Sequence, residues 1–414
     1  MCGLSLAVWL PLRRTETGPA PDRSLIALLM LVSLYVALQL VPLPVSWLRV
    51  LSPARAEVYD ATLRLGLPAS HVPLSAAPTV TMAHLLRVLC FICIFFLIRE
   101  LTWRLARRPW LAILPVVGLG TAEGALGLAQ YLGGATRASG TYVNPNHYSC
   151  FLDMTLPLAL TLAAIAARGK NGREGVSMKR VLGICALLGG ATCIFLGALY
   201  SMSRMGLAAV TVSLLILAIG FSVGKADRRF RYIAGASAAL VLLGLVFFSA
   251  PGKLVERAGQ EPLTADERVA IWKETLPMTA DYRLFGSGLG TYVSVFQKYR
   301  ASAPLFLVDF AHNDYLQLLA ELGLIGFAIT SGAGLLILLR TVSAIRGGAT
   351  PEQRLLAAGC AAALAALLLD SFVDFDFYIP ANAMLAAWIA GIGAAAGIGD
   401  AGEAERIRIR NRAA

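Results

Sequence analysis

The chain has 414 residues, 57% hydrophobic and only 15% charged, with a mean hydropathy of +0.69. That composition excludes an ordinary water-soluble domain and reads as an all-α polytopic membrane protein. The net charge of +11 is broken into short clusters between apolar runs, a pattern that orients helices in a membrane rather than one that binds nucleic acid.

The N-terminus opens on GLSLAVWLPL followed by Arg13 and Arg14. The charges follow the apolar stretch, the reverse of a cleaved signal peptide, and ten residues are too few to span. Apolar runs long enough to cross then follow at about 24–47, 81–101, 110–132, 149–168, 181–200, 206–223, 232–251, 315–340, 355–373 and 383–399, which predicts ten spans. Lys and Arg gather in alternate loops: Arg13, Arg14 and Arg23; Arg104, Arg107 and Arg108; Arg168 to Arg180; Lys225 to Arg231; Arg340 to Arg354; and the tail Arg406 to Arg412. That face is expected to be cytoplasmic. The chain therefore divides into N-terminal spans (1–251, about seven), a large outer loop (252–312), and C-terminal spans with a basic tail (313–414, about three).

The outer loops differ in kind from the inner ones. The stretch SPARAEVYDATLRLGL predicts an amphipathic surface helix. The others hold RASGTYVNPNHYS, SMSRMG and DFDFYIPAN, where turn residues, amides, aromatics and single charges collect, so chemistry is expected on this side. The inner loops are too short for a soluble domain and carry no phosphate-binding loop. Cys90 and Cys93 form a C-x-x-C inside an apolar run and read as packing residues; no disulfide framework is implied.

Each polar cluster has a functional and a bland reading. His312 leads HNDYLQLLAELGLIG into a span, and Asn313, Gln317 and Glu321 repeat at helical spacing, so a polar stripe descends about two turns. Ionisable groups at that depth face a cavity or a partner, unless they merely cap the helix. Arg204 is the single charge in a tight outer turn; its guanidinium suits phosphate oxygens or snorkels to the interface. Arg268 and Trp272 share a helix face, with Arg283, Lys298 and Arg300 nearby. This basic set suits a diphosphate head group, or it pairs with neighbouring carboxylates on a solvated face. Gly286, Gly288 and Gly290 read as a tight turn leading into an amphipathic run at 291–300, with Thr291 as N-cap. Asn144, Asn146 and His147, near Arg137 and Tyr142, form a second substrate-facing loop, or His147 is a structural or simply solvated loop histidine. Asp370, Asp374 and Asp376 either hold Mg²⁺ or Mn²⁺ against a lipid diphosphate or anchor arginines such as Arg204 and Arg268, the second reading being preferred.

Taken together, HNDYLQLLAELGLIG, GSGLGTYVSVFQKYR, DERVAIW, SMSRMG and ASGTYVNPNHY resemble the O-antigen ligase and polymerase superfamily, over roughly residues 137–390. The resemblance implies a GT-C-like helical glycosyltransferase of the bacterial inner membrane, ten to twelve spans, with a large periplasmic loop and a site facing the periplasm. It implies a donor glycan on undecaprenyl diphosphate and an acceptor hydroxyl on lipid A-core, with no nucleotide sugar and no metal. His312 matches the family histidine, as general base; Arg204 and Arg268 match its diphosphate-binding arginines; Asn313, Asp314, Tyr315 and Asp374 are expected to support them. A polymerase joining lipid-linked glycan repeats carries the same motifs. A flippase or transporter would instead show inverted repeats around a midplane site. Relatives usually carry about twelve spans, so this chain departs at its N-terminal side.

Overall fold

A computed structural model of the chain describes residues 22–105, 108–168, 177–223, 265–301, 307–348 and 350–397, with positions 235 and 239. The predicted span 232–251, the N-terminal stub and the basic tail fall almost wholly outside these residues. The elements in order are α1 (Arg23–Leu38), β1 (Pro42–Pro44), α2 (Val45–Leu51), α3 (Pro53–Arg64), β2 (His71–Pro73) and α4 (Pro78–Arg104). A 3-10 turn at Pro109–Ile113 leads to α5 (Leu114–Leu132), α6 (Pro145–Arg168), α7 (Met178–Tyr200) and α8 (Arg204–Val223). Then come α9 (Ala265–Asp281), α10 (Tyr292–Phe296), α11 (Asp314–Gly347), α12 (Pro351–Asp370), a 3-10 turn at Asp376–Tyr378 and α13 (Pro380–Ala395).

Seven helices among the described residues are long and apolar enough to cross a membrane, and α1 and α13 are shorter apolar helices. The chain is a polytopic all-α membrane protein. Helix α6 is the centre of the bundle: 89% of its span is buried, against 22% for α4 and α11, and the buried stretch includes the polar Asn146, His147, Ser149 and Asp153. Helices α7, α8 and α12 pack around it, α5 lies on α7, and α4 pairs with α13. Small residues permit the close approaches; a Cβ on Gly124 of α5 would stand 2.7 Å from the Cys193 carbonyl of α7.

Two expectations change. The run 24–47 does not form one span. It ends at Leu38, and Pro42 and Pro44 turn the chain into β1, which pairs antiparallel with β2, so 42–73 folds back as a cap that includes α3. The run 291–300 yields only the five-residue α10, and Thr291 precedes it without a side-chain capping bond.

The long α11 is two helices joined at Gly323, whose φ of 64° and ψ of −177° are not helical. Carbonyls of the GSGLG loop region fill the break. Leu324 N donates to Arg283 O at 2.8 Å, while Ser287 N and Gly288 N reach back to Ala320 O and Glu321 O at 3.1 and 2.9 Å. From α1 and its end, Tyr35 Oη donates to Leu322 O at 2.6 Å and Gln39 Nε2 to Glu321 O at 2.9 Å. Backbone groups freed by the break are thus repaired.

Candidate active site

Four interruptions of the bundle meet on one face. They are the turn 201–203 between α7 and α8, the segment 307–313 before α11, the segment 371–379 between α12 and α13, and the start of α6 with its preceding loop. Among the described residues only Met202 and His312 are non-glycine with positive φ, at 55° and 49°, and each lies in one of these interruptions. A left-handed residue costs about 1–3 kcal/mol and persists only where its surroundings over-determine it. At His312 they do. Trp272 Nε1 donates to Ala311 O at 2.9 Å and His312 O at 3.2 Å, and Ala311 N donates to Gln317 Oε1 at 2.8 Å. Asn313 is the N-cap of α11, its side chain accepting from Leu316 N at 2.9 Å. The helix therefore starts just beyond His312 and leaves its ring turned toward 371–379.

There His312 Nδ1 meets Asp374 Oδ1 at 3.2 Å, with the Phe375 ring edge-on at 4.8 Å. The other oxygen of Asp374 accepts from Asn146 Nδ2 at 3.4 Å. Asn146 Oδ1 in turn accepts from Arg137 Nη2 at 2.7 Å, while Arg137 Nε donates to Ser201 O at 2.7 Å. One buried arginine thus ties the turn before Arg204 to the carboxylate behind His312. Burial opposes ionisation of Asp374, but the hydrogen bond from His312 and the favourable charges of His147, His312 and Arg268 bring it down to about 2. An ionised carboxylate only accepts, so Nδ1 of His312 donates to it, and in the neutral form of the ring Nε2 is then the nitrogen with a free lone pair.

A polar cavity of about 270 Å³ lies beside Asp374, lined among others by Asn146, Arg204, Arg268, Trp272 and Asp370. Arg204 is exposed and opens α8, where free helix N–H groups favour anions. Arg268 Nε is buried without a hydrogen-bond partner. The cavity thus offers guanidinium donors that await an acceptor.

The other expected supporting residues act on the 371–379 segment. Asp314 is fully buried; its N–H donates to Ser371 O at 2.9 Å and its Oδ2 accepts from Phe377 N at 3.1 Å. Tyr315 Oη donates to Leu368 O at 2.6 Å. Asp376 turns away from Asp374 and accepts from His147 Nδ1 at 3.0 Å and Asn382 Nδ2 at 2.8 Å. His147 is therefore buried structure, not a solvated loop residue. Glu321 accepts from Gly290 N, Tyr292 N and Tyr378 Oη, so the polar stripe of α11 ends on the GSGLG turn. Of the basic set in the large loop, Lys298 pairs with Glu57 of α3 at 2.8 Å on the surface, and Arg283 is exposed outside the cavity lining.

For a metal, the described residues that bring three ligand atoms within 4.8 Å of one another are Cys150, Asp370 and Asp376, all buried. Asp374 is not among them. Asp370 Oδ2 and Asp376 Oδ2 lack hydrogen-bond partners, so two hard oxygens and a soft thiol are available, short of the all-oxygen shell Mg²⁺ prefers.

Residues 189–331 match the family model of O-antigen ligase (Wzy_C). The matched stretch, less than half of the chain, takes in Arg204, Arg268 and His312 and stops before Asp374. It includes four of the five motifs that carry the resemblance, SMSRMG among them, and leaves out ASGTYVNPNHY. No curated protein matches the chain.

Proposed function

We propose that the protein is an O-antigen ligase-like glycosyltransferase. In this reading it moves a glycan from undecaprenyl diphosphate to a hydroxyl of lipid A-core at the periplasmic face of the inner membrane. The family match supports a membrane function of the O-antigen ligase or polymerase type. The observation that carries the finer reading is one polar cavity in which Arg204 and Arg268 face Asp374, the carboxylate that holds His312.

The donor's diphosphate is gripped by Arg204 and Arg268, each charge-assisted contact contributing about 1.5–3 kcal/mol. Nε2 of His312 takes the proton of the acceptor hydroxyl as that oxygen attacks the sugar's anomeric carbon, a contribution of about 10²–10⁴-fold. The bond from that carbon to the diphosphate breaks, and undecaprenyl diphosphate leaves with the electron pair, its charge met by the two arginines. Asp374 holds the imidazole in the required tautomer. The donor bond is already activated, so no further energy source is needed.

Purified protein with lipid-linked glycan and lipid A-core tests this directly: glycan transfer is expected, and near-normal turnover by His312→Ala would overturn the base assignment. Deletion in the native host separates the acceptors. Loss of glycan-capped lipid A-core supports the ligase, whereas accumulation of single repeats on lipid A-core supports the polymerase, whose chemistry at this site is the same.

A further inference from the structure

Whereas Asp374 lines the polar cavity, Phe377 and Tyr378 of the same segment line a second, larger one of about 580 Å³, together with α1, α4, α11, α12 and α13. Its wall is almost wholly apolar, with Leu29, Phe91, Leu364 and Ala387 among its residues, and its outer end is formed by Tyr315 and Tyr378. Two polar side chains of α4 interrupt it. His84 and Arg87 both lie on the wall, six and nine residues into the 27-residue α4, about 9 and 13 Å along the helix from its start.

Arg87 is exposed, and its one described contact is His84 Nε2 at 3.5 Å. His84 Nδ1 bonds Val80 O at 3.0 Å, and its ring faces Tyr378 at 6.0 Å. No carboxylate pairs with Arg87 among the described residues. An unpaired arginine within a span marks a functional position, and a guanidinium beside an apolar groove suits a lipid phosphate.

We infer that this groove holds the acyl chains of the acceptor, a phosphorylated glycolipid whose phosphate sits on Arg87. The inference rests on the glycosyl-transfer reading. In a single displacement the attacking hydroxyl stands across the anomeric carbon from the leaving group, as water does in inverting glycosidases. Arg204 and Arg268 fix the leaving diphosphate at the Asp374 end of segment 374–378, and the groove meets the segment at Phe377 and Tyr378. Two lipids thereby reach one base, each with its own cationic anchor.

Two substitutions test it in nanodisc-embedded full-length protein: Arg87→Ala removes the anchor and Ala387→Trp fills the groove. With donor saturating, both are expected to raise the acceptor KM about tenfold or more, leaving donor KM and kcat within about twofold. Native mass spectrometry with lipid A as the probe is expected to show binding to the wild type and loss in both variants. An unchanged acceptor KM with unchanged lipid A retention overturns the inference, as does a rise confined to the donor KM, which would assign the groove to the polyprenyl chain. Absence of transfer by the wild type would refute the transfer reading instead, and the lipid A measurement would still decide whether the groove takes a phosphorylated glycolipid.

Discussion

Asp374→Asn is the sharpest test of how the site is built, because it removes one charge and almost no volume. Asp374 is 2% exposed and contacts His312 Nδ1, Asn146 Nδ2 and its neighbour Phe375 N. The amide can still accept one bond, but it cannot compensate a proton arriving on His312, and it can present N–H to a ring nitrogen that already carries hydrogen. Losing a charge-assisted bond is worth about 1.5–3 kcal/mol, so kcat should fall about 10- to 150-fold while donor KM moves little. Against the opposing effect of burial, the hydrogen bond from His312 holds the carboxyl below its ordinary value in the folded protein, so its charge stabilises the fold at neutral pH and Tm should also fall. The assay is steady-state transfer of lipid-linked glycan by purified protein, with thermal unfolding in the same detergent. A variant within twofold of wild type in kcat would refute the claim that Asp374 orients the base.

The same carboxyl makes a pH prediction. Its folded value is depressed, so its stabilising effect is present above its ordinary value of 3.8 and is lost as pH falls toward about 2, which thermal unfolding across that range should show for the wild type and not for Asp374→Asn. Substituting His312 by glycine removes the ring and also relieves the left-handed backbone, so His312→Gly should lose at least ~10²-fold in kcat yet regain part of it with added imidazole, and no recovery would count against a base role. Arg268→Ala should raise donor KM about tenfold or more, measured by donor titration. Turnover should survive prolonged chelation, and a loss restored by Mn²⁺ would return the carboxylates of segment 370–376 to a metal role. Gly323→Ala places a Cβ against Leu284 O at a φ of +64° and should cost at least ~2 kcal/mol, seen as a lower Tm.

Much of the bundle was legible because lipid imposes long apolar runs, and the borders of α4 to α8 follow the predicted spans within a few residues. Arg204 stood out because its turn is short and it is the single charge there, His312 because it heads the polar stripe of α11, and Arg268 because it shares a helix face with Trp272. The contacts that join them were not. Asn146 meets Asp374 across 228 positions, and no local spacing can report that pairing. Arg137 and His147 were visible only as polar residues in a turn; that one braces the Arg204 turn and the other holds Asp376 depends on how α6 and α12 pack. The first span was misread because hydropathy stays high through Pro42 and Pro44, whose ring geometry ends the helix regardless. The break in α11 was not legible either, since helical periodicity passes through Gly323 without a sign of it.

That break separates two demands a continuous helix would have to meet together. Residues 324–347 are the part of α11 that matches bilayer thickness, about 36 Å long, whereas 314–322 are fastened to the GSGLG turn, Tyr35 and Gln39. When hydrophobic mismatch tilts a membrane helix, the inner piece can follow while the outer piece, with the histidine at its head, keeps its bearings.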